Sequence, residues 1–461
     1  MTHLLPMPIA SHRLKIQQAN LPLRKGGPGL RVHAWLWMRS LGDGGCGTTA
    51  IAMILMGVAF LSPPVTAEDP WPEFRGPAGD GIAEVQSVAL RWDRETNVRW
   101  RTELPGHGWS SPVVGGGVVY LSAAIQADQR EQATLELSLL RLDAENGRLL
   151  GVYPLLQQAE DAPDIHKKNS HASPTPLLTP ERVFVHFGHQ GTVCTDRQGK
   201  ILWVNRDNQY SPVHGNGGSP VLVGGVLIFT CDGAEQPYVV GLDAVSGKQL
   251  WRTDRPVEAS RKFSFATPSV FKSATGSLVI APGSDCVVAL DPATGDLRWW
   301  VRYDGYSVVP KPVFSQGRVL VTTGFGPTTL LAIDPQGTGD ITQTQIAWQL
   351  QRGIPKTPSL IAWDDLVFLI SDDGIALCID ANSGDVVWRQ RLGGNYSASP
   401  ILVAGRLYFT SEEGVTTVVA ATRQFQKLAT NDLQEAVLAS PAVADKAIFI
   451  RTETAIYRIE E

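Results

Sequence analysis

Three observations predict that the chain is all-β and forms a single eight-bladed β-propeller of four-stranded antiparallel blades. A residue followed by proline opens an apolar run at eight places along the sequence. A turn that begins with aspartate, contains glycine and ends at tryptophan recurs between these places. Each repeat also contains four short segments with the β-branched residues and alternation of strands. Four strands in a period of about 45 residues are typical of a propeller blade.

The proline-led starts set the repeat and predict where each blade begins. The 45 glycines and 31 prolines of the chain suit many short strands joined by turns. The eight starts are Ser111-Pro112, Ser173-Pro174, Ser219-Pro220, Thr267-Pro268, Lys311-Pro312, Thr357-Pro358, Ser399-Pro400 and Ser440-Pro441.

The second repeated element is the turn that ends at tryptophan. It reads DAVSGKQLW up to Trp251, DPATGDLRW up to Trp299 and DANSGDVVW up to Trp388, with a weaker copy up to Trp203. The aspartate side chain can cap backbone amides, and glycine accepts a positive φ. A tryptophan ring buries on the order of 200 Å², so one ring per blade can dock neighbouring blades.

The ends of the chain predict how the ring closes. After Ser440-Pro441 the remaining residues suffice for three strands only, and residues 97–103, NVRWRTE, resemble a blade end with Trp100 at the tryptophan position. We therefore expect the N-terminal strand to complete the last blade, which protects sheet edges. This places the propeller at residues 90–461, with an irregular leader at residues 68–89 packed on its outside.

The N-terminal region predicts secretion. Residues 48–61 form a short apolar run, Arg39 lies upstream of it, and Val65-Thr66-Ala67 form a small-residue cleavage site. Residues 1–67 are therefore interpreted as an N-terminal extension plus signal peptide, with Met38 as the expected start and cleavage after Ala67. The alternative is an uncleaved anchor, although the run is shorter than the ~20 residues of a spanning helix. The mature chain is expected to lack a transmembrane span and to be a monomer.

The charge balance excludes one class of partner. The formal net charge is −5, and no block of like charges occurs in the sequence. A surface that binds nucleic acid would require a basic excess. We therefore expect no nucleic acid partner.

These repeats and the leader resemble those of a known family. Residues 241–251, 289–299 and 378–388 are similar to the tryptophan-docking repeat of pyrroloquinoline quinone (PQQ) enzymes, with departures at its first positions such as Cys378. The leader, with Trp71, Phe74, Arg75 and Gly76, resembles secreted bacterial propellers related to the propeller lipoprotein of the outer-membrane β-barrel assembly machinery. The resemblance covers nearly all of the mature chain. It implies export across the inner membrane, a place in the periplasm or cell envelope, and a non-catalytic binding or scaffold role.

An enzyme is the alternative that the resemblance leaves open, since a PQQ-dependent dehydrogenase has the same repeats. Such enzymes imply a quinone over the channel, a calcium ion with carboxylate and amide ligands, a catalytic aspartate and often a disulfide of adjacent cysteines. The sequence has no adjacent cysteine pair and no haem-binding Cys-x-x-Cys-His. Asp243, Asp291 and Asp380 belong to the repeated turn and are interpreted as structural. We therefore expect no catalytic residue, no metal and no cofactor, with PQQ and calcium as the alternative.

The segments that lead into the innermost strands should converge at one mouth of the channel. They bring basic, aromatic and amide side chains together, including Phe263 and Tyr306, which favours an anionic or glycan ligand or an envelope protein partner. A carbohydrate-active propeller and mere solvated loop decoration are the alternatives. His186 and His189 lie in a strand pattern and are interpreted as ordinary blade residues. The candidate ligand-binding residues are Trp109, Lys168, His171, His214, Asn216, Arg261, Lys311, Lys356 and Tyr396.

Overall fold

The computed structural model describes residues 70–126, 134–158, 162–273 and 276–461, which all belong to the compact unit Pro64–Glu461. These residues form 34 β-strands and one short 3-10 helix, Gly188–Gln190. The predicted N-terminal extension and signal peptide, residues 1–67, lie outside the described residues. In the described ranges, no helix has the length and apolar character needed to cross a bilayer.

The strands form eight sheets, which are the blades of a ring, so the predicted fold class is confirmed. Two strands precede the first complete blade, β1 (Ile82–Ala83) and β2 (Val98–Glu103). From the channel outward, blade 1 contains β3 (Val113–Gly115), β4 (Val118–Gln126), β5 (Leu135–Asp143) and β6 (Leu149–Gln157), and blade 2 contains β7 (Leu177–Leu178), β8 (Arg182–His186), β9 (Thr192–Asp196) and β10 (Ile201–Asn205). Blade 3 contains β11 (Val221–Val223), β12 (Val226–Cys231), β13 (Tyr238–Asp243) and β14 (Gln249–Asp254), and blade 4 contains β15 (Ser269–Ser273), β16 (Gly276–Gly283), β17 (Cys286–Leu290) and β18 (Leu297–Arg302).

Blades 5 to 7 repeat this order, and blade 8 takes its outermost strand from the N-terminal side. Blade 5 contains β19 (Val313–Ser315), β20 (Arg318–Thr322), β21 (Leu330–Ile333) and β23 (Ile346–Leu350), with β22 (Gly339–Asp340) inserted in the chain before β23. Blade 6 contains β24 (Ile361–Trp363), β25 (Leu366–Ile370), β26 (Ile375–Asp380) and β27 (Val386–Arg391), and blade 7 contains β28 (Ile401–Val403), β29 (Arg406–Thr410), β30 (Val415–Ala420) and β31 (Lys427–Asp432). Blade 8 contains β32 (Ala442–Ala444), β33 (Ala447–Arg451), β34 (Ala455–Ile459) and β2.

The ring closes as the sequence predicts. The N-terminal strand β2 pairs antiparallel with β34, and Arg101 lies opposite Tyr457 in that register. The indole Nε1 of Trp100 donates a hydrogen bond of 3.1 Å to the carbonyl of Ala144 in blade 1. Blade 8 is thereby joined to blade 1 by both its backbone pairing and its tryptophan.

The hydrophobic core lies between the blades. One buried cluster joins Phe184 and Cys194 of blade 2 to Phe229 and Val240 of blade 3, and comparable clusters fill the other interfaces. A blade has two apolar faces, and each face is removed from water only by the next blade. At about 25 cal/mol per Å² of apolar surface, this stacking is the main stabilising contribution to the ring.

Tryptophans at the blade ends contact the repeated turn of the following blade. Each of these indole nitrogens donates to a backbone carbonyl near the start of that turn. Except in blade 7, where Phe425 packs on Trp388, the turn glycine lies against the ring, as Gly247 does against Trp203 with a φ of +71°. A Cβ at that glycine would overlap the indole. The further contacts are Trp203 to Ala244 at 3.2 Å, Trp251 to Pro292 at 3.1 Å, Trp348 to Ala381 at 3.1 Å and Trp388 to Thr422 at 3.0 Å.

Blade 4 departs from this pattern. Trp299 is 1% exposed, but no described residue accepts a hydrogen bond from its Nε1. The following turn of blade 5 is lengthened, and its strand β22 pairs parallel with β18, the outermost strand of blade 4. The lengthened turn therefore covers the outer edge of blade 4 with a fifth strand.

The inner ends of the blades are joined by a ring of hydroxyl groups. In seven of the eight blades, the residue two positions before the innermost strand donates its backbone N–H to the equivalent side chain of the next blade; the exception is Thr267, because the next position is Lys311. The distances are 3.0 Å from Ser111 to Thr175, 2.9 Å from Thr175 to Ser219, 2.9 Å from Ser219 to Thr267, 3.0 Å from Lys311 to Ser359, 3.0 Å from Ser359 to Ser399, 2.9 Å from Ser399 to Ser440 and 3.2 Å from Ser440 to Ser111.

This ring corrects two of the predicted blade starts. The equivalent dipeptides in blades 2 and 6 are Thr175-Pro176 and Ser359-Leu360, two residues beyond the predicted Ser173-Pro174 and Thr357-Pro358. The error has a simple cause, because in both blades the connection carries an additional Ser/Thr-Pro step just upstream of the strand. Sequence spacing alone does not distinguish the two steps.

The leader does not pack on the outside, so that prediction is wrong. Trp71 is fully buried and exchanges two backbone hydrogen bonds with Val114 of β3, while β1 pairs parallel with the innermost strand β28. Between these points, the Arg75 guanidinium donates to the carbonyls of Leu360 and Pro400 in blades 6 and 7. The leader thus crosses the channel and satisfies backbone carbonyls that the innermost strands leave unpaired.

We predict that Trp251→Ala lowers the free energy of unfolding by about 3–5 kcal/mol, because it removes a buried ring and one hydrogen bond between blades. Trp299→Ala should cost about as much, since its burial matters more than the absent hydrogen bond. Urea unfolding of the purified protein measures both. Trp363→Ala, which removes a ring that is 38% exposed, is the matched control and should cost clearly less. A midpoint that is unchanged by Trp251→Ala would refute the role of this ring in joining the blades.

Candidate functional site

A cavity of about 460 Å³ occupies one end of the channel. It lies where the connections between blades lead into the innermost strands, as the sequence predicts for the converging segments. We call it the mouth cavity, and its lining comes from all eight blades and from Phe74 of the leader. Its size is within the range of small-molecule and peptide side-chain sites.

The floor of the mouth cavity is polar. Ser111, Thr175, Ser219, Ser359 and Ser399 of the hydroxyl ring all line it. Each hydroxyl oxygen already accepts a backbone N–H from the neighbouring blade, so its own hydrogen remains to be donated. The floor is therefore a circle of donors that favours a ligand group rich in acceptor oxygens.

One wall of the mouth cavity is aromatic. The ring centroids of His214 and Phe263 are 5.2 Å apart, those of Phe263 and Tyr306 are 6.0 Å apart, and those of Tyr306 and Phe325 are 6.2 Å apart. The chain of rings runs through the connections of three consecutive blades. Edge-to-face and tilted contacts of this kind hold the rings in place and leave their outer faces for a ligand.

Cations lie on this wall. The Arg261 guanidinium is 4.1 Å from the centroid of the Tyr306 ring, and the Lys356 ammonium is 5.2 Å from that of Phe325. Both are within the distance of a cation–π contact. No aspartate or glutamate is among the described residues that line the cavity. Positive charge over apolar rings, in a cavity whose described lining contains no carboxylate, favours an anionic group on an apolar ligand.

A side chain from blade 2 reaches across the rim. The Lys168 ammonium is 2.8 Å from the Glu412 carboxylate in blade 7, and the Ser397 hydroxyl donates to the same carboxylate oxygen. Lys168 and Ser397 line the cavity, whereas Glu412 lies behind them. This ion pair narrows the mouth on the side opposite Arg261, and its exposed lysine makes it a weak constraint.

Four of the nine predicted ligand-binding residues line the mouth cavity: Trp109, Lys168, His214 and Arg261. Lys356 contacts its wall through Phe325. The binding of a ligand by these residues stays a prediction.

The other four predicted residues do not line the mouth cavity. His171 lies 3.2 Å from the amide of Gln158, and burial lowers its pKa. Asn216 is buried and accepts a hydrogen bond from Tyr210, and burial raises the pKa of Tyr396 to about 12. Lys311 points from the hydroxyl ring to Glu73 of the leader. The segments converge as expected, but these four side chains are directed to other partners or buried away from the cavity.

Lys311 is the clearest of these four corrections, because its ammonium pairs with Glu73 of the leader. The ammonium and the carboxylate are 3.4 Å apart, and the lysine side chain is 3% exposed. Burial lowers the pKa of Lys311 and raises that of Glu73, because each charge loses its hydration. Lys311 replaces a hydroxyl in the inner ring, and its partner comes from the leader, which was predicted to lie outside. It therefore fixes the leader in the channel.

Two aromatic residues that sequence reasoning missed are part of the site. Phe74 of the leader and Phe325 of blade 5 both line the mouth cavity. Phe325 lies in a connection between the second and third strands of its blade, and such connections end at the same side of the ring as the segments that were considered. Their position, two strands after the proline-led start, is a signal that could have identified Phe325.

The leader closes the other end of the channel. Its partners Val114, Leu178 and Val403 lie at the far ends of the innermost strands, away from the mouth. The Arg75 guanidinium is buried among carbonyls, and this desolvation lowers its pKa to about 10. The site is therefore a pocket that opens at one end.

The histidines near blade 2 do not form a metal site with other described residues. No group of three or more His, Cys, Asp or Glu side chains in the described ranges could hold a metal ion. The ring of His186 is buried against Phe229 with centroids 4.2 Å apart, and its Nδ1 lies 2.8 Å from the Thr192 hydroxyl. Burial lowers the pKa of His186 to about 3.

His166 and His214 both line the mouth cavity. The Nδ1 of His166 accepts the backbone N–H of Lys168, and the ring of His166 contacts that of His214 edge to face at 5.8 Å. The nearby Ser173 hydroxyl donates instead to the Asn169 carboxamide. Nucleophilic catalysis requires a hydroxyl within reach of a base, and the described contacts of these two histidines provide none. The arrangement can bind and orient a ligand.

Comparison with known proteins identifies relatives of the chain. A family model described as outer membrane protein assembly factor BamB matches residues 84–234, 138–263 and 235–461. The outer membrane protein assembly factor BamB of Moranella endobia is 29% identical over 191 residues, which cover 38% of this chain and 48% of that protein. The chain spans about half the length of the curated relatives it matches.

Solved structures of two kinds share the fold. BamB from Moraxella catarrhalis superposes with a TM-score of 0.56 at 14% identity, over 79% of this chain and 97% of that chain. The quinohemoprotein alcohol dehydrogenase from Comamonas testosteroni superposes with a TM-score of 0.58 at 14% identity, over 85% and 81%. At these identities the likeness is one of fold alone.

We predict that His186 makes the fold sensitive to acid. Its folded pKa of about 3 lies below the ordinary value of about 6.5, so the unfolded state takes up a proton first as pH falls. Stability is then lost from about pH 6.5 downward, by about 2 kcal/mol at pH 5. Urea unfolding at pH 7 and pH 5 should show this loss in the wild type and a correspondingly smaller loss in His186→Asn. The exposed-site control His166→Asn should keep the full loss, and an equal loss in all three proteins would contradict the prediction.

Proposed function

The chain belongs to the family of the outer membrane protein assembly factor BamB, and on this premise we propose that it is a non-catalytic binding protein of the bacterial envelope. It holds a segment of a protein partner at the mouth cavity during the assembly of outer membrane proteins. The observation that carries the proposal is the composition of this cavity, in which Arg261 and Lys356 lie over aromatic rings and no described lining residue is a carboxylate.

The mouth cavity fits a peptide segment that combines apolar and acidic side chains. The rings of Phe263, Tyr306 and Phe325 present apolar surface whose exposure to water is unfavourable. The hydroxyl floor and the cations supply hydrogen-bond donors to an acidic group. Aromatic and arginine side chains are also the types that supply most binding energy at protein interfaces. The scaffold is rigid because every blade is fixed by its neighbours, so little entropy is lost on binding.

The cellular location follows from the same premise. The predicted signal peptide, which starts at Met38 and ends at Ala67, would export the chain across the inner membrane, and the family is named for outer membrane protein assembly. The chain would then act in the periplasm, where the mouth cavity is accessible to the periplasmic parts of assembly proteins.

A PQQ-dependent dehydrogenase is the second candidate, because a quinohemoprotein dehydrogenase shares the fold. Calcium takes several oxygen ligands, chiefly carboxylates and carbonyls. The described lining of the mouth cavity contains one carboxamide, Asn169, and no carboxylate. These residues do not fit a quinone held by calcium, and the proposal assigns the chain no redox step.

A site-specific photocrosslink tests the binding role. A photoreactive phenylalanine analogue in place of Tyr306, in full-length protein expressed in its own envelope, should crosslink to a component of the outer membrane assembly machinery. The same analogue at Trp363, at the opposite end of the ring, is the control and should give no such product. Adding Arg261→Ala to the Tyr306 probe should reduce the yield several-fold, because the cation is part of the site. Equal products from both positions, or none from Tyr306, would argue against a partner at the mouth.

A titration with PQQ tests the second candidate. We predict that the full-length protein shows no absorbance change or thermal shift that depends on calcium, since the described lining of the mouth cavity offers no carboxylate to this ion. The control is the same titration with a chelator in place of calcium. Saturable binding that calcium strengthens would contradict the expectation and would favour a dehydrogenase.

A further inference from the structure

The outermost strands of most blades carry charged side chains. Arg101 in β2, Arg252 in β14, Arg298 in β18, Arg389 in β27 and Lys427 in β31 are exposed at these outer edges. Charges at a sheet edge disfavour the addition of another strand, which is how soluble β proteins protect their edges. In blades 3, 6 and 8 the arginine directly follows the blade-end tryptophan.

Blades 1, 2 and 5 lack this protection. The sequences of their outermost strands, LLGVYPLLQ in β6, ILWVN in β10 and IAWQL in β23, contain no charged residue. In blades 1 and 2, large apolar side chains are exposed at the edge instead. They are Leu149 at 38%, Val152 at 37%, Ile201 at 40%, Leu202 at 45% and Val204 at 44%. Val204 occupies the position that holds arginine in blades 3, 6 and 8.

The apolar surface continues onto blade 3. Val245 and Leu250, in the turn and outermost strand of that blade, are 67% and 52% exposed. The Arg182 side chain of blade 2 donates to the carbonyl of Val245, and Trp203 of β10 donates to that of Ala244, so these surfaces adjoin. An apolar surface of this extent on a soluble protein commonly marks an interaction site.

Strand β10 also presents unpaired backbone groups. It pairs with β9 on one side, and no described strand pairs with it on the other. The outermost strand of blade 4 shows that this position accepts a further strand, because β22 pairs parallel with it. The edge of blade 2 has the same geometry without that cover.

Charges at the two ends of β10 indicate what binds there. Lys200 precedes the strand and Arg206 follows it, both exposed, and no described residue forms an ion pair with either. Asp207 lies one residue further and accepts a hydrogen bond from Asn205. Antiparallel pairing of β10 with a second copy would place Lys200 near Arg206 of that copy, which is unfavourable. A segment with acidic residues at both ends would be attracted instead.

We propose that β10 binds an extended segment of a partner protein by strand addition. The segment has an apolar centre that covers Ile201, Leu202 and Val204, and acidic residues on both sides that meet Lys200 and Arg206. Backbone hydrogen bonds supply affinity in this mode, and the side chains supply selectivity. This surface lies on the outer rim, apart from the mouth cavity. The proposal of strand addition at β10 can therefore be refuted without refuting the proposal of binding at the mouth, and the reverse.

Peptide binding to the purified full-length protein tests this proposal. The probe is the fluorescein-labelled peptide Glu-Glu-Val-Thr-Val-Thr-Val-Glu-Glu, and its fluorescence anisotropy is the readout. The wild type should bind it in a saturable manner and at least about tenfold more tightly than the version with lysine at the four acidic positions. A version with N-methyl groups on alternate amides should also bind at least about tenfold more weakly, because strand addition requires those N–H groups.

Variants locate the site. Val204→Arg, which introduces the residue found in blades 3, 6 and 8, should abolish binding without lowering the melting temperature. Val386→Arg on the outer edge of blade 6 is the matched control and should bind like the wild type. The double variant Lys200→Glu with Arg206→Glu should prefer the lysine-flanked peptide. Binding that survives Val204→Arg in a folded protein, no preference between the two flanks, or no binding of either peptide by the wild type would overturn the proposal.

Discussion

The structure depends on the fact that a blade cannot bury both of its faces alone. Every blade therefore needs two neighbours, and the chain must return to its start. The return is made by β2, which completes blade 8, and by Trp100, which reaches Ala144 of blade 1. The N–H of Ser440 closes the inner ring on the hydroxyl of Ser111. Residues more than 300 positions apart are joined at this seam, so closure carries a large loop entropy that the stacked apolar faces must outweigh.

Closure leaves a channel, and the leader occupies one end of it. A channel lined by innermost strands exposes backbone carbonyls, and the buried Arg75 guanidinium supplies donors to two of them, at Leu360 and Pro400. Glu73 neutralises Lys311, the one ring position in the described chain where a lysine replaces a hydroxyl. Because both charges lose hydration, the ion pair adds little to the stability of the fold, and its main effect is to fix the position of the leader. The leader therefore makes the channel a pocket with a single mouth.

The repeat made the fold predictable from the sequence, whereas only part of the candidate site could be predicted in this way. Eight proline-led starts and the turns that end at Trp251, Trp299 and Trp388 predict blades because every copy carries the same local signal. Closure by residues 97–103 was predictable because an incomplete last unit needs a strand. The direction of a side chain in an irregular connection has no such signal, so Lys311 and Tyr396 were assigned to a cavity from which they point away. The leader has no repeat at all, and its place depends on partners such as Leu360 and Pro400 that are distant in sequence.

Two surfaces follow from the same architecture. At the mouth, connections from all blades converge, so side chains that differ between repeats can form one site. At the outer rim, each blade repeats the same edge, so the uncharged strand β10 with its exposed apolar side chains is recognised by comparison with the other outermost strands. The first surface suits a segment that inserts, and the second suits a segment that extends along a strand.

The central claim is that this ring engages its partner through a single open mouth. Hydrogen–deuterium exchange of the full-length protein, alone and in complex with the partner captured at that site, tests it most directly. The account predicts slower exchange in residues 165–170, 261–265 and 305–309, which surround the mouth, and no change in residues 71–83 of the leader. Slower exchange confined to the leader and the far ends of the innermost strands would contradict it.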